Sequence, residues 1–454
     1  MYVKSLHLEQ VKGFPTLDFD FERPDGSFHG WTVLVGGNAS GKSTVLKAIA
    51  LALSGPDTGL QLLSLDTSGW IRLNQKEAQA SVLVVRDEAQ DRFNTSKKGR
   101  QFKTNFLAGV RWLLESGGLP IRDPQRPLLR ATERTTQKNG PKEENRAEQG
   151  PWNPTAQGWF CTGYGPMRRL SGSSSDAARL SSVGGTMSRF VTLFREDAAL
   201  SDSEGWLKLN HSRQLESQDS ARSAQIQTLL NGAQALLGDG LLPHGMQISR
   251  ITVDHVHVKD GRGIELPMRD ISDGCRSIYA TVLDLIHGMA EVYGAEDLFE
   301  HDKDGHTIVN KPGVVLIDEI EAHLHPKWQS EIPEWLKAHF PQIQFIVTTH
   351  SPLVAQAADE NGIFVLPAQD DLNREPRRLA THEYEMIRLG KAEKTLLGTA
   401  FGLKNTRSKW ANDRIHQWKR LDAKRQSGAR LTAQEKNQLV ALQGQIDMTF
   451  DEAL

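Results

Sequence analysis

Along this chain, runs of β-branched and aromatic residues broken by glycines alternate with stretches whose apolar residues recur every three or four positions, the pattern of an α/β protein. Val3, Leu6 and Leu8, then Leu17, Phe19 and Phe21, read as short opening strands, and Val33 to Val35 as a buried one. Val45, Leu46, Ile49 and Leu53 then repeat at helical spacing until Ser54-Gly55-Pro56, which is expected to stop that helix. Strands are expected at residues 70–72 and 81–85. From Asp87 to Gly158 the composition turns polar, with residues 106–114 reading as one short helix. The region has too few apolar residues for a core of its own and reads as a flexible surface excursion. Residues 159–170 pass from an apolar run through a glycine-proline turn to Arg168 and Arg169. Two readings stay open for this pair: cations delivered to a phosphate-rich site, or solvated surface charge.

A second loose stretch is expected from Ser171 to Gly185, where the composition is that of a linker or mobile loop. Residues 216–237 read as a helix with Ile226, Leu229, Leu230 and Ala233 on one face, followed by strands at 251–258 and 264–266. The tail reads as a helical hairpin. Ala411, Ile415, Trp418 and Leu421 form one stripe, Ser427-Gly428 breaks it, and Thr432 with Glu435 gives a capping-box signal before Leu439, Leu442 and Ile446. Its first helix and flanks carry Arg407, Lys409, Arg414, Lys419, Arg420, Lys424 and Arg425. A solvated face is the ordinary explanation, and a contact with nucleic acid or an acidic partner stays open.

Composition narrows the function classes. The 454 residues carry a formal charge of −2, so the whole molecule is no polycation built for nucleic acid. Two cysteines, Cys161 and Cys275, exclude a disulfide scaffold and a cysteine-rich zinc module. No run of about eighteen apolar residues offers a membrane span, and residues 1–6 lack the apolar region of a signal peptide. The expectation is a cytoplasmic protein with no membrane partner.

The most specific chemistry lies in Gly36-Gly37-Asn38-Ala39-Ser40-Gly41-Lys42-Ser43-Thr44, which fits the G-x-x-x-x-G-K-[ST] phosphate loop. Glycines let backbone N–H groups converge on phosphate oxygens, and the helix that follows points its positive end at the same anion. Lys42 is then expected to reach the β- and γ-phosphates, and Ser43 to hold Mg²⁺. Downstream, residues 312–319 form an apolar strand that ends in Asp318 and Glu319. Asp318 suits Mg²⁺, and Glu319 suits the orientation of an attacking water. Residues 343–350 form another buried strand, ending at His350, where α/β sheets place their ligands. Ser272 is a good N-cap for a helix with Ile278, Val282, Leu285, Ile286 and Met289 on one side; taken alone, that stretch is simply a capped helix.

Taken in order, GGNASGKST, ISDGCRS, VVLIDEIEAHLHP and IVTTHSP resemble the ABC-class ATPases of the SMC, RecF and OLD type. Across nearly the whole chain the likeness is to the ATPase subunits of Septu-like anti-phage defence systems, including retron-associated ones. WTVLVGG, GYGPMRRL and LGTAFGL carry part of it. The resemblance implies an ABC-type ATPase head, a mixed sheet with a P-loop core, and ATP and Mg²⁺ as cofactors. It also implies a homodimer or higher oligomer in which Ser272 and Gly274 close in trans over the γ-phosphate, with His350 as the switch histidine. Ala39 stands where relatives often carry Gly, Lys12 where they often carry Arg, and no Q-loop glutamine can be named.

The expected division is an N-terminal ATPase lobe at 1–86, the polar insertion at 87–158, a C-terminal ATPase lobe at 159–403 and the hairpin at 404–454. The insertion is too short for an SMC-length coiled coil, and neither a TOPRIM acidic cluster nor an HNH pattern follows His350. A nuclease effector is therefore expected on a separate polypeptide. The alternatives are a RecF-like DNA repair or maintenance ATPase and a nucleotide-gated scaffold with little turnover.

Overall fold

In the first sheet burial alternates along Leu6–Glu9 and Leu17–Asp20, the period-two pattern of strands with one face against a core. The computed structural model describes residues 1–64, 66–94, 105–114, 128–131, 146–168, 173–200, 203–252, 254–366 and 375–450, in two compact units, Met1–Thr395 and Leu396–Leu454. The strands that frame the first unit are, in chain order, β1 (Tyr2–Val11), β2 (Phe14–Asp20), β3 (Gly30–Gly36) and β4 (Glu77–Val85). They continue with β5 (Asn105–Leu113), β6 (Leu128–Ala131), β7 (Cys161–Tyr164) and β8 (Gly313–Ile317), then β9 (Ile343–Thr348), β10 (Ile363–Leu366) and β11 (Arg377–Arg378).

Two sheets result. One is antiparallel, in the order β2-β1-β4-β5-β6; the other has the order β11-β10-β3-β9-β8-β7 and is parallel except for its β11 edge. Helix α1 (Lys42–Leu62) packs against strands of both. That is why it is buried almost all round, from Val45 through Leu53, rather than along one stripe. A buried glutamine joins the sheets: the Gln344 side chain in β9 accepts from the Val3 backbone N–H (2.7 Å) and donates to the Val3 carbonyl (2.8 Å).

Several expectations change. Residues 106–114 are a strand, not a helix: Phe106, Ala108, Val110 and Trp112 are buried in alternation as β5 pairs with β4 and β6. The described part of the polar region thus extends a sheet, while 95–104, 115–127 and 132–145 lie outside the described residues. Residues 70–72 make only a single bridge, Ile71 to Val11, because the neighbours of β1 are already β2 and β4. Helix α1 does break at Gly55 (φ 78°) but resumes to Leu62. Pro56 cannot donate to the Ala52 carbonyl, and the Trp152 indole N–H supplies that bond instead (2.9 Å).

The serine-rich stretch after Gly172 is helical over Ser175–Ser182 and Gly185–Phe194, with the Ser174 hydroxyl accepting from Ala177 N–H as an N-cap. Residues 169–172, Arg169 included, lie outside the described residues. The helix expected at 216–237 is Ser220–Gly238, preceded by a separate helix, Ser203–Glu216. The next strands are Gln247–Ile251, Val256–Lys259 and Glu265–Pro267, a small antiparallel sheet in which the span expected as one strand, 251–258, is divided between the first two, and the strand expected at 264–266 is the third. Helix α2 (Asp273–Tyr293), helix α3 (Pro326–His339) and helix α4 (Pro352–Gln356) complete the elements that frame the site.

The second unit holds helix α5 (Lys409–Gln426) and helix α6 (Ala433–Phe450), joined by Leu421, Leu439 and Leu442 with Trp418 and Leu431 around them. Its capping box is present: Thr432 N–H donates to Glu435 Oε2 (2.8 Å), and Glu435 N–H donates to Thr432 Oγ1 (3.2 Å). The Ile446 side chain lies outside the described set. No described helix is long and apolar enough to cross a membrane.

Candidate functional site

Four neighbouring parallel strands, β3, β9, β8 and β7, run in one direction, so the loops beyond their carboxyl ends share one edge. The register brings them level: Val33 pairs with Val347, Val347 with Ile317, and Ile317 with Tyr164. Immediately beyond this row lie the phosphate loop, then Thr348, Thr349 and His350, then Asp318 and Glu319, then Gly165 to Arg168. Adjacent strands stand about 4.8 Å apart, which is why segments distant in sequence come together here.

Within the phosphate loop, Gly41 takes φ 93°, and a Cβ there would stand 2.5 Å from the Phe14 ring. Only glycine satisfies both conditions. Ala39 holds φ 60°, which gives a physical reason for glycine to be common at that position. Asn38 and Ala39 are exposed, Ser43 and Thr44 half-buried. Ser40 is buried, and its Oγ has no hydrogen-bond partner among the described residues. Lys42 is 6% exposed and donates to the carbonyls of Gly36 (2.9 Å) and Gly37 (3.0 Å). Burial pulls its pKa down, while Asp318, Glu319 and Glu321 act in the opposite sense, so these carboxylates lie within electrostatic reach of the lysine.

Asp318 is buried, with Oδ1 accepting from Thr348 Oγ1 at 2.6 Å. Glu319 is half-buried in a left-handed backbone conformation, φ 45°, and its N–H donates to the same threonine oxygen at 2.7 Å. The His350 side chain is exposed, and its backbone N–H donates to Glu321 Oε1, while Thr349 Oγ1 donates to Glu321 Oε2 (2.7 Å). Glu321 was not singled out in the sequence. Its position two residues past Glu319, beside the end of β9, was the available signal.

Arg168 resolves the open question about that residue differently from either reading. Its guanidinium is buried, and among the described residues it donates to backbone carbonyls, those of Gly165, Asp318, Glu319, Ile320 and Ala322. It is therefore neither surface charge nor a side chain extended toward a ligand. Burial pulls its pKa down to about 10, with Glu321, Asp318 and Glu319 opposing the shift.

Ser272 and Gly274 stand at the start of α2. Ser272 is exposed, and its hydroxyl donates to Cys275 Sγ (2.9 Å), so it occupies the N-cap position without a side-chain cap to the backbone. Gly274 faces the His323 carbonyl, and a Cβ there would overlap that oxygen. The glycine thus has a steric reason within its own chain.

Two family models match the chain. Residues 5–149 match an "AAA domain", and residues 173–355 match "AAA domain, putative AbiEii toxin, Type IV TA system". The "Retron Ec83 probable ATPase" of Escherichia coli is 26% identical over 411 residues, covering 80% of this chain and 71% of that protein. "Septu protein PtuA" of Bacillus thuringiensis is 31% identical over 172 residues, 37% of this chain and 41% of that protein. The chain is an ATPase homologous to these retron and Septu proteins. Among solved structures, an SMC head bound to the C-winged helix domain of ScpA is 15% identical, with TM-score 0.44, covering 80% of this chain and 94% of that one. In this ATPase the strand order and the phosphate loop already define an α/β P-loop architecture.

Proposed function

We propose that this ATPase hydrolyses ATP between two copies of itself and uses that cycle to control a separately encoded effector nuclease in anti-phage defence. One observation carries the reading: Lys42, Asp318, Glu319 and His350 all follow the carboxyl ends of adjacent parallel strands. In this reading the backbone N–H groups of Gly36 to Thr44 cradle the phosphates, and Lys42 leaves the carbonyls of Gly36 and Gly37 to meet the β- and γ-phosphates. The hydroxyl of Ser43 and the carboxylate of Asp318 are hard oxygen donors that fit Mg²⁺, with Asp318 held by Thr348. Bound there, Mg²⁺ would supply positive charge to offset that of the phosphates. Glu319 orients the attacking water, and His350 contacts the γ-phosphate. Ser272 and Gly274 of a second copy close the pocket. Kinship with the retron and Septu proteins supports the defence role and the separate effector.

Glu319→Gln tests the catalytic half. Steady-state ATP turnover is expected to fall by about 100-fold or more, with ATP binding retained and a longer-lived dimer on light scattering. Unchanged turnover would remove the enzyme reading and favour a nucleotide-gated scaffold. Co-purification with the products of neighbouring genes, followed by mass measurement of the complex, tests the effector half. A nuclease in the complex is the expected result.

A further inference from the structure

We propose that Arg168 is a positioning residue for Glu319: it pins the glutamate's peptide in a backbone conformation that the residue would otherwise leave. The inference rests on the reading that Glu319 orients water. Glu319 sits at φ 45°, a left-handed conformation disfavoured for any residue with a Cβ. Such a conformation persists only where the surroundings fix it.

Here both polar ends of the residue are fixed. Its N–H donates to Thr348 Oγ1 (2.7 Å), and its carbonyl accepts from Arg168 Nη2 (3.1 Å). The same guanidinium spans the turn, reaching the carbonyls of Asp318 (3.1 Å), Ile320 (3.2 Å) and Ala322 (3.2 Å), with Gly165 behind it (3.4 Å). The turn's own backbone supplies one of these bonds, Ala322 N–H to the Glu319 carbonyl (2.9 Å), so the Glu319 carbonyl is held from both sides, and the planar five-donor guanidinium supplies the donors for the carbonyls of Asp318, Ile320 and Ala322.

The chemistry selects arginine. A lysine brings the charge but is a single point with three donors and cannot fan out over carbonyls on two sides of a turn. Bonding to carbonyls also leaves the carboxylates of Asp318, Glu319 and Glu321 unoccupied by the cation, although all three lie within its electrostatic reach. A direct Arg–Glu pair here would have removed the water-orienting group from use. Arg168 arrives from the end of β7, the strand next to β8, so the clamp is delivered by the same sheet that places Asp318.

The test compares Arg168→Gln and Arg168→Lys with Glu319→Gln and with the double variant Arg168→Gln/Glu319→Gln, reading kcat, the Kd for ATP and the melting midpoint of the full chain. Both Arg168 variants are expected to lose about 100-fold in kcat, since small misplacements of a reacting group cost on that order, while Kd for ATP stays near the wild-type value. The double variant should be no slower than Glu319→Gln alone, because the arginine acts through the glutamate. The proposal is overturned if the two losses multiply, if Kd weakens in step with kcat, or if Arg168→Lys keeps the full rate. It is equally overturned if neither arginine variant folds, for then the residue serves stability. Unchanged turnover in Glu319→Gln alone would instead sink the catalytic reading beneath it.

Discussion

The starts of α1 and α2 look alike in sequence, a glycine-bearing turn running into an apolar helix, yet the structure treats them differently. At α1 the Gly41 turn is locked by Phe14, Lys42 is buried, and the residues expected around the phosphates come from strands of the same chain. At α2 the exposed Ser272 hydroxyl turns to Cys275, and Gly274 rests on the His323 carbonyl. Neither start carries a side-chain cap, whereas Ser174, Asp219, His325 and Ser408 each cap the helix they precede. A bare helix start keeps its N–H groups for an anion. One is surrounded by its own chain and the other is exposed, as the proposed pocket between two copies would require.

Breaking both starts should give the largest effects. Lys42→Ala removes the phosphate clamp, and Ser272→Arg places bulk and charge on the outward start; each is expected to lower turnover by about 100-fold or more. Only Lys42→Ala should weaken ATP binding to the monomer. Mixed together, the two variants are expected to recover activity, because a heterodimer contains one pocket with an intact Lys42 and an intact Ser272. No recovery in a coupled ATPase assay would mean that the two starts do not share a pocket.

Gly274→Ala sharpens the contrast at a smaller scale. A glycine kept solely for a partner's phosphate would tolerate alanine in the isolated chain. The overlap with the His323 carbonyl predicts instead a cost of about 1–3 kcal/mol even without nucleotide. Denaturant titration of nucleotide-free protein measures it, and an unchanged midpoint would assign the glycine to the dimer alone.

The sequence was most legible where one residue type has one physical use. The phosphate loop, the acid pair after an apolar strand and the Thr432–Glu435 box could all be placed from local pattern, since glycine, carboxylate and cap positions are set by backbone geometry. It was least legible where a distant partner decides. The 106–114 segment became a strand because β4 offered an open edge, and at the Gly55 break in α1 the Ala52 carbonyl is met by Trp152, far along the chain. Arg168 was visible as a cation but not as a clamp, because its acceptors are carbonyls, which every residue possesses. Glu321 was hidden for a related reason: its partners, Thr349 and His350, meet it only once β8 and β9 are paired.

The start of α6 supplies the control, a helix whose first turn is satisfied by its own side chains. Thr432 and Glu435 cap each other's N–H groups, and Glu435 Oε1 also accepts from Lys424 (2.6 Å). Removing this cap by Thr432→Ala is expected to cost about 1 kcal/mol of local stability and to leave ATP turnover unchanged. The carboxyl of Glu435 also makes the cap pH-sensitive. Its hydrogen bond from Lys424, then that from Thr432, hold its pKa at about 2 in place of the usual 4.5. A carboxyl with a depressed folded-state pKa contributes fully above its unfolded value, and the contribution fades as pH falls from about 4.5 toward 2. Amide exchange in the full chain should therefore show the first turn of α6 opening more readily across that window, and Glu435→Gln should flatten the dependence. Equal acid sensitivity in wild type and variant would detach the effect from the cap, and α6 would cease to be the self-sufficient start against which α1 and α2 are bare.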